Sequence, residues 1–345
     1  MPTKNEDRMS PLEEAIKGIM PRLAGVRSAV LTTHVNPDGD GIGSEVAMAE
    51  WLSAGGCKTH ILNHSETPGV YMFMDDAGRR IRTYDPERDA ATIASADLIL
   101  VLDTNDLGRL RSMEPAVHAS RAFKICIDHH LDPHGFADCS IIDPEATSTG
   151  EIVYRIILMD PGRGLSPSMA SALYCAIMTD TGSFRYPRVD PEIHRMAARL
   201  IEAGADPVRI YAEVYERWST GRIHLLGRML AGMGMGGKGR LAYASITQEM
   251  LQQTGTSEAD TDNFTTYPMS IQGVTAGIIF LELKDGVKIS FRSKGVIPIN
   301  ELAKEFGGNG HLNAAGARLY KVSLHDVTRD VLEAAEKYVA APENT

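Results

Sequence analysis

Four short, mostly apolar runs in this chain are each followed by aspartate or histidine residues. The runs lie at 29–31, 98–102, 123–127 and 176–178. The polar residues that follow are His34, Asp38 and Asp40 after the first run, Asp103 after the second, Asp128, His129 and His130 after the third, and Asp180 after the fourth. We interpret each run as a buried strand, because open parallel sheets bind ligands at the carboxyl ends of their strands. The pattern predicts one polar site at one edge of such a sheet.

Strand-like and helix-like patterns alternate over the first 205 residues. An amphipathic helix is predicted at 11–24. Strands are predicted near 28–33, 58–62, 97–103 and 123–128, and helices near 43–53, 149–159, 167–178 and 191–203. This alternation predicts an α/β fold with a mostly parallel sheet and helices on both faces.

The pattern changes after a helical stretch at 206–231, and a smaller C-terminal α+β domain is predicted there. Its predicted strands are 241–246, 274–283 and 287–291, with a hairpin turn at Asp285-Gly286 and helices near 298–305 and 324–339. We expect a first domain at 11–215, a linker at 216–237 and a second domain at 238–342.

A glycine-rich segment lies at the predicted linker, and Gly232 to Gly237 match the pattern G-x-G-x-x-G. A dinucleotide fingerprint must follow a strand and open a helix, whereas this segment follows a helix and precedes a strand. The segment is therefore predicted to be a flexible turn.

Composition limits the classes of partner. The net charge of −10 over 345 residues argues against a protein that coats long nucleic acid, because such binding depends on phosphate neutralisation. The four cysteines form no CxxC pair, which disfavours a structural zinc site or a disulfide framework. The N-terminus lacks a signal-peptide pattern and no run is long enough to span a membrane, so a cytoplasmic location without membrane partners is expected.

Each polar group alone has a plainer explanation. Asp-Gly pairs form turns, an aspartate such as Asp103 can cap a loop, and Asp180-Thr181-Gly182 also resembles a turn. The joint occurrence of all four groups favours a metal site, and glycines at 39, 41 and 43 would let the backbone wrap closely around ions. Carboxylate and imidazole ligands suit Mn²⁺, Mg²⁺, Co²⁺ or Fe²⁺, and two such ions can clamp the attacking and leaving oxygens of phosphoryl transfer. The residues thus indicate metal-assisted hydrolysis of a phosphate ester.

Several runs resemble the signature motifs of the DHH phosphoesterase family. These are HVNPDGDGIGS at 34–44, LDT at 102–104, DHH at 128–130 and TDTG at 179–182. Further on, FRSKG at 291–295 and GGNGHLNAAG at 307–316 resemble the DHHA1 substrate domain, with Asn309 where many relatives carry glycine. In length and layout the chain is most similar to the NrnA-like branch of nanoRNases and 3′-phosphoadenosine-5′-phosphate (pAp) phosphatases.

The resemblance implies a role for each matching position in the first domain. One ion would be held by His34, Asp38 and Asp103, and a second by Asp40, Asp103, His129 and Asp180, with Mn²⁺ expected and Mg²⁺, Co²⁺ or Fe²⁺ as alternatives. His130 would face the scissile phosphate, and Asp128 would orient the histidines.

In the second domain the resemblance implies a grip on the nucleotide across a cleft. Backbone N–H groups of Gly307, Gly308 and Gly310 would approach a phosphate or base, and Arg292 and His311 would contact the substrate through their side chains. Without its neighbours, Arg292 would be an ordinary strand charge. Two further arginines near the second and fourth motifs, Arg109 and Arg185, are weaker candidates for the same role.

The expected function is hydrolysis of short oligoribonucleotides to mononucleotides, together with conversion of pAp to AMP. The partners would be short oligonucleotides or small phosphorylated nucleotides rather than long duplexes, and the resemblance alone implies a homodimer. A cyclic di-AMP or pApA phosphodiesterase is the close alternative, and a nucleotide-sensing module without turnover is the alternative from another class. The nucleoside-binding runs of the second domain disfavour a pyrophosphatase, and length and charge disfavour a processive exonuclease.

Overall fold

The computed structural model describes residues 10–75, 80–131 and 133–339. Contacts within the chain divide it into two compact units, Met1–Arg217 and Trp218–Thr345. The segment predicted as the linker, 216–237, contains a helix and a short strand that both belong to the second unit. The ordered structure of that unit therefore begins inside the predicted linker.

The first unit alternates strands and helices as the sequence predicts. Its elements are α1 (Pro11–Ala24), β1 (Ser28–Thr32), α2 (Gly39–Ala54), β2 (Lys58–Asn63), β3 (Ile81–Thr83), α3 (Pro86–Ser95), β4 (Leu98–Leu102), α4 (Glu114–Ala119), β5 (Phe123–Asp128), β6 (Cys139–Ile142), α5 (Thr149–Leu158), α6 (Pro167–Asp180), α7 (Pro191–Glu202) and α8 (Pro207–Tyr215). Two 3-10 helices, Gly69–Met74 and Leu107–Met113, lie in the connections.

The six strands of the first unit form one parallel sheet in the order β3-β2-β1-β4-β5-β6. The chain leaves β1 first toward β2 and later returns to its other side at β4, so the strand order reverses between β1 and β4. A sheet of this kind binds its ligands outside the carboxyl ends of the strands at that reversal. The fold therefore specifies where a site should lie.

Helices cover both faces of this sheet, as predicted. Alternate residues of one strand face different cores, since Leu31 packs in the larger cluster with α1, α2, α5 and α6 whereas Val30 packs in the smaller one with α3 and α4. Both residues are fully buried. Continuous burial of this kind explains the unbroken apolar runs of the central strands.

The helix starts follow from local sequence. Ser10, Asp85, Ser166, Asp190 and Asp206 each precede a proline, and each side chain accepts a backbone N–H of the first helical turn. Proline tolerates the first helical position because its missing N–H would have no partner there, and the cap satisfies a neighbouring N–H group.

The second unit is a mixed α+β structure. Its elements are α9 (Thr220–Ala231), β7 (Gly234–Gly236), β8 (Leu241–Ile246), α10 (Gln248–Thr254), α11 (Thr266–Met269), β9 (Ala276–Leu283), β10 (Gly286–Ser293), α12 (Ile299–Glu305), β11 (Asn309–His311), β12 (Ala314–Tyr320) and α13 (Leu324–Val339). The sheet order is β11-β12-β10-β9-β8-β7, with β8 and β9 parallel and the other pairs antiparallel. Two cores cover its faces.

Four local predictions differ from the structure. Helix α2 begins at Gly39 rather than near residue 43, because Asp38 caps it. The glycine-rich segment is partly an edge strand, since β7 pairs with β8. The hairpin has Lys284 and Asp285 as its turn, and Gly286 already pairs with Leu283. The helical stretch 206–231 is broken into α8 and α9.

The sequence pattern also missed short or weakly patterned elements, namely β3, β6, α3, α4, α10, α11, β11 and β12. Edge strands of three or four residues carry too few side chains to show a period. In the described part of the chain, no helix is both long and apolar enough to cross a membrane.

Candidate metal centre and active site

His34 lies two residues beyond the end of β1, and its side chain is buried. Its Nε2 lies 3.3 Å from Oδ2 of Asp103 and 3.9 Å from Oδ2 of Asp38. The other ring nitrogen, Nδ1, lies 2.9 Å from the carbonyl oxygen of Val35. A donor hydrogen bond from Nδ1 to this carbonyl leaves the Nε2 lone pair to face the carboxylates, as a metal ligand requires.

Two aspartates lie at the start of α2. Asp38 is its N-cap and accepts the N–H groups of Asp40 and Gly41 at 3.0 and 3.1 Å. Asp40 is fully buried, and its two carboxylate oxygens accept the N–H groups of Thr149 at 2.7 Å and Gly150 at 2.8 Å. The first turn of α5 therefore fixes the orientation of the Asp40 carboxylate.

Asp103 occupies the centre of the site. It follows β4 directly, is 1% exposed, and has a left-handed backbone with φ of 61°, which aspartate tolerates better than most residues. Its Oδ2 faces His34, and its Oδ1 lies 3.6 Å from Nε2 of His129 and accepts the hydroxyl of Thr149 at 3.2 Å. The two oxygens of one carboxylate thus face two different histidines.

The Asp128-His129-His130 run ends β5 and begins the loop after it. Oδ1 of Asp128, which is fully buried, accepts the N–H of His129 at 2.9 Å and lies 2.7 Å from Nδ1 of His130. Nδ1 of His129 lies 3.4 Å from the carbonyl oxygen of Ala146, so its Nε2 faces the carboxylates. This geometry is consistent with the orienting role that we predict for Asp128.

The apolar run before Asp180 was interpreted as a strand, and that interpretation is wrong, whereas the helix predicted near 167–178 is confirmed. Asp180 is the last residue of helix α6, and its Oδ2 lies 3.3 Å from Nε2 of His129. Helices α2 and α6 pack closely, which brings this helix end to the edge of the sheet. The carboxylate nevertheless reaches the other donor groups, and the preceding apolar residues Ile177 and Met178 are buried in the larger core.

The donor atoms form clusters of metal-binding size. Within each of three groups the atoms lie within 4.8 Å of one another, and the groups are His34 with Asp38 and Asp103, Asp40 with His129 and Asp180, and Asp103 with His129 and His130. Seven of the eight residues that we predicted for metal binding or catalysis are therefore members of a cluster, and the eighth, Asp128, holds His130.

The site brings several buried carboxyl groups close together, an arrangement that bound cations would stabilise. Burial and neighbouring carboxylates raise the pKa of Asp40 and of Asp103 well above their usual range, and the same causes raise the pKa of Asp180 to about 7. Burial lowers the pKa of His34, and burial together with the neighbouring His130 lowers that of His129 to about 4. Neutral imidazoles beside crowded acids are the donor set that Mn²⁺ or a similar divalent ion binds.

The glycines of the first motif serve close packing. A Cβ at Gly39 would lie 2.5 Å from Oγ1 of Thr179, and one at Gly43 would lie 2.4 Å from the carbonyl oxygen of Ala172, both in α6. Neither glycine has a positive φ. The sequence suggested that these glycines wrap the backbone around ions; instead they let α2 lie against α6, which positions Asp40 near Asp180.

The sequence pattern missed two groups that hold the ligands. Thr149 and Gly150 contact the carboxylates of Asp40 and Asp103. Their signal was present as Ser148 followed three residues later by Glu151, a pattern that marks a helix start. Tyr71, from the 3-10 helix Gly69–Met74, was also missed. Burial and the nearby Asp38 raise the pKa of its hydroxyl, which is hydrogen-bonded to the backbone of Gly39.

Two arginines were weaker candidates for substrate contact. Arg109 lies near the site. Burial is the main cause of the lowered pKa of His34, and the positive charge of Arg109 lowers that pKa further. Its carbonyl oxygen accepts the N–H of Val35 at 2.8 Å. Nε of Arg185 donates to the carbonyl oxygen of Gly182 at 2.6 Å, so this side chain braces the loop after Asp180.

In the second unit, Arg292 and His311 share one row of the sheet. Arg292 on β10 and His311 on β11 both pair with Ala314 of β12, one from each side. The side chain of His311 lies outside the described part of the structure. Nη1 of Arg292 donates to the carbonyl oxygen of Phe291 at 3.1 Å.

The backbone N–H groups of Gly307, Gly308 and Gly310 were expected to approach a phosphate or base, but each has a partner within the protein. The N–H groups of Gly307 and Gly308 donate to carbonyl oxygens of α12 at 3.0 and 2.8 Å, and that of Gly310 donates to Oδ1 of Asn309 at 2.8 Å. A Cβ at Gly308 would lie 2.3 Å from the carbonyl oxygen of Gly316. Gly307 and Gly308 therefore end α12, and Gly310 lies in β11, which pairs with β12.

A doubly wound sheet with carboxylate and imidazole clusters at its carboxyl edge defines a class of metal-dependent hydrolase. Two family descriptions match the sequence: "DHH family, N-terminal domain" over residues 28–177 and "DHHA1 domain" over residues 250–341. The chain belongs to the DHH/DHHA1 family of phosphoesterases and is a hydrolase.

Three known proteins place the chain within this family. It is 27% identical over 307 residues to the "Bifunctional oligoribonuclease and PAP phosphatase NrnA" of Thermus thermophilus, covering 89% of each chain. It is 24% identical to the "Cyclic-di-AMP phosphodiesterase GdpP" of Geobacillus thermodenitrificans, covering 88% of this chain but 46% of that one. The crystal structure of an exopolyphosphatase-related protein from Bacteroides fragilis matches with a TM-score of 0.91 and 32% identity, covering 96% of this chain and 100% of that chain.

Proposed function

We propose that this protein is a two-metal phosphoesterase that hydrolyses short oligoribonucleotides to mononucleotides and converts pAp to AMP. The observation that carries the proposal is the position of Asp103, whose two carboxylate oxygens face His34 on one side and His129 on the other. Similarity over most of its length to an oligoribonuclease and PAP phosphatase supports this substrate class.

The first ion would be held by His34, Asp38 and Asp103, and the second by Asp40, Asp103, His129 and Asp180. Oxygen and nitrogen donors without thiolates favour Mn²⁺, with Mg²⁺, Co²⁺ or Fe²⁺ as alternatives. When bound, two such ions polarise the phosphate and lower the pKa of water for attack.

His130 would act on the phosphate or on the leaving oxygen. Asp128 holds Nδ1 of His130 at 2.7 Å, which fixes the ring and leaves Nε2 for substrate. In this orientation His130 would stabilise negative charge on the phosphate or pass a proton to the leaving oxygen. Thr149 would keep Asp103 oriented through its hydroxyl at 3.2 Å.

The second unit would bind the nucleotide through Arg292 and His311. Arginine suits a phosphate because its planar group can donate two parallel hydrogen bonds. The N–H groups of Gly307, Gly308 and Gly310 are assigned a structural role here, because they already donate within the protein. Arg109 and Arg185 remain candidate contacts to the substrate in the first unit, and a cytoplasmic homodimer is the proposed form of the protein.

A cyclic di-AMP phosphodiesterase is the second candidate. The similarity to GdpP favours it, but this chain spans only 46% of that protein's length, against 89% for NrnA. A sensor without turnover is the candidate from another class, and the complete set of donor residues argues against it.

Product analysis distinguishes these candidates. Metal-stripped protein with added Mn²⁺ is incubated separately with pApA, a 5-mer RNA, pAp, cyclic di-AMP and pyrophosphate, with Asp103→Asn as the matched control. We expect AMP from pApA and pAp and mononucleotides from the 5-mer, all lost in the variant. Cleavage of cyclic di-AMP alone would select the second candidate, pyrophosphate turnover alone would contradict the assigned role of the second unit, and no turnover of any substrate would favour the sensor.

A further inference from the structure

Glu45 is a buried carboxylic acid that the proposed reaction does not use. It lies in helix α2, is 0% exposed, and sits five residues beyond Asp40 among apolar side chains. Burial raises the pKa of this carboxyl well above its usual range. Burying a carboxyl group is costly, and an apolar residue of similar size often serves stability better at such a position. Stability alone therefore does not account for this residue.

One side chain contacts Glu45 through a hydrogen bond. Oε2 of Glu45 accepts Nδ2 of Asn63 at 2.8 Å, and Asn63, the last residue of β2, is 1% exposed. Oε1 of Glu45 is buried without a hydrogen-bond partner in the described structure. The backbone N–H of Thr33 can only donate, so the amide atom it contacts must be Oδ1, and Nδ2 is the end that Glu45 holds.

The oxygen of that amide holds the backbone beside a proposed metal ligand. Oδ1 of Asn63 accepts the N–H of Thr33 at 3.0 Å, and Thr33 directly precedes His34. Strand β1 ends at Thr32, so the side chain of Asn63 extends the pairing of β1 with β2 by one residue. The position of His34 thus depends on a side chain that Glu45 orients.

Thr33 also contacts the segment that carries the two aspartates. A Cβ at Gly41 would lie 2.5 Å from Oγ1 of Thr33, so the threonine side chain lies directly against the first turn of α2. A shift of Thr33 would therefore disturb both His34 and the neighbouring Asp38 and Asp40. This residue is the junction between the end of β1 and the start of α2.

We propose that Glu45 and Asn63 are positioning residues for the metal site, which hold Thr33 so that His34 keeps its ligand geometry. The inference rests on the proposed two-metal site. Neither residue touches the clustered donor atoms, so both act through the backbone. Substitution of a residue that hydrogen-bonds to a metal ligand typically weakens metal binding by about 10- to 100-fold. Because Glu45 and Asn63 act on His34 only through the backbone, we expect an effect at the lower end of that range.

Metal affinity and stability are measured together on the metal-stripped full chain, by Mn²⁺ titration and thermal unfolding. Glu45→Met removes the acceptor of Asn63 Nδ2 while it keeps the buried volume, and Glu45→Gln retains an acceptor oxygen. Leu23→Ala is the control, because Leu23 is a buried residue of α1, a helix that packs against α5 and β6.

We expect Glu45→Met to weaken binding of at least one Mn²⁺ ion about tenfold with a Tm loss no greater than that of Leu23→Ala. Glu45→Gln should bind within about threefold of the original protein, and so should Leu23→Ala despite its lower stability. Unchanged affinity in Glu45→Met would overturn the inference while leaving the two-metal site intact. A failure of the unsubstituted protein to bind two Mn²⁺ ions would overturn the proposed site itself, and with it the inference.

Discussion

Replacement of Gly43 by alanine should destabilise the first unit, although alanine is the better helix former. A Cβ at this position of α2 would lie 2.4 Å from the carbonyl oxygen of Ala172 and 3.0 Å from Cβ of Ala176. Ordinary carbon–oxygen contacts are about 3.3 Å or longer, so the two helices must separate by roughly 1 Å. A backbone carbonyl within a helix cannot rotate aside, which makes this overpacking expensive.

The magnitude follows from two opposing effects. Overpacking costs about 3 kcal/mol at the upper end of its usual range, and alanine regains about 1 kcal/mol of helix propensity. The net loss is about 2 kcal/mol, or a Tm decrease of about 4–8 °C for a unit of this size.

Gly18→Ala is the matched control for this prediction. Gly18 lies in α1, where an added Cβ would meet no atom within 4 Å. We expect this control to raise the Tm by about 1–4 °C, since only the propensity gain applies. Thermal unfolding followed by circular dichroism measures both variants. A Tm for Gly43→Ala equal to or above that of the original protein would refute the close-packing role of the first-motif glycines.

Three further predictions concern the site, the substrate and pH. Thr149→Val should weaken Mn²⁺ binding about tenfold, because Asp103 loses a hydrogen bond, while Thr149→Ser should restore it; equal affinities in a Mn²⁺ titration would contradict this. Arg292→Ala should raise the KM for a 5-mer RNA about tenfold in steady-state kinetics with Mn²⁺ affinity unchanged, and an unaltered KM would exclude substrate contact. Asp89→Asn should lower the Tm at pH 7 by about 2–4 °C, because a hydrogen bond from Arg88 lowers the pKa of the buried Asp89. A lowered native pKa stabilises the fold above the unfolded pKa, so the difference should shrink as pH falls through the native value, and a Tm gap that is constant from pH 7 to pH 3 would contradict the assignment.

The central sheet and the identity of the ligands could be predicted from sequence, because both depend on strong local signals. Strand β4 is a continuous apolar run and β1 and β5 are mostly apolar, as burial on both faces requires. Polar residues placed directly after such strands must meet at one edge of a parallel sheet. His34 and Asp103 are therefore close in space although 69 positions separate them in the sequence.

Other features depend on tertiary packing that no local pattern reveals. Asp180 reaches the site from the end of α6 because the glycines of α2 permit close approach, and the two helices are far apart in sequence. The N–H groups of Gly308 and Gly310 were expected to face a ligand, yet that of Gly308 donates to a carbonyl oxygen at the end of α12 and that of Gly310 donates to the side chain of Asn309. The link from Glu45 through Asn63 to Thr33 is likewise visible only in three dimensions.

The central claim is that two clusters of donor residues, which share Asp103, hold two metal ions for the hydrolysis of short RNA. The most direct test compares Mn²⁺-dependent mononucleotide release from a 5-mer and a 24-mer RNA by the full chain and by Asp103→Asn. We expect rapid release from the 5-mer, much slower release from the 24-mer, and a roughly hundredfold to thousandfold loss in the variant, the usual effect of removing one electrostatic group from a catalytic site. Equal activity of the variant, or equal rates on the two RNAs, would contradict the claim.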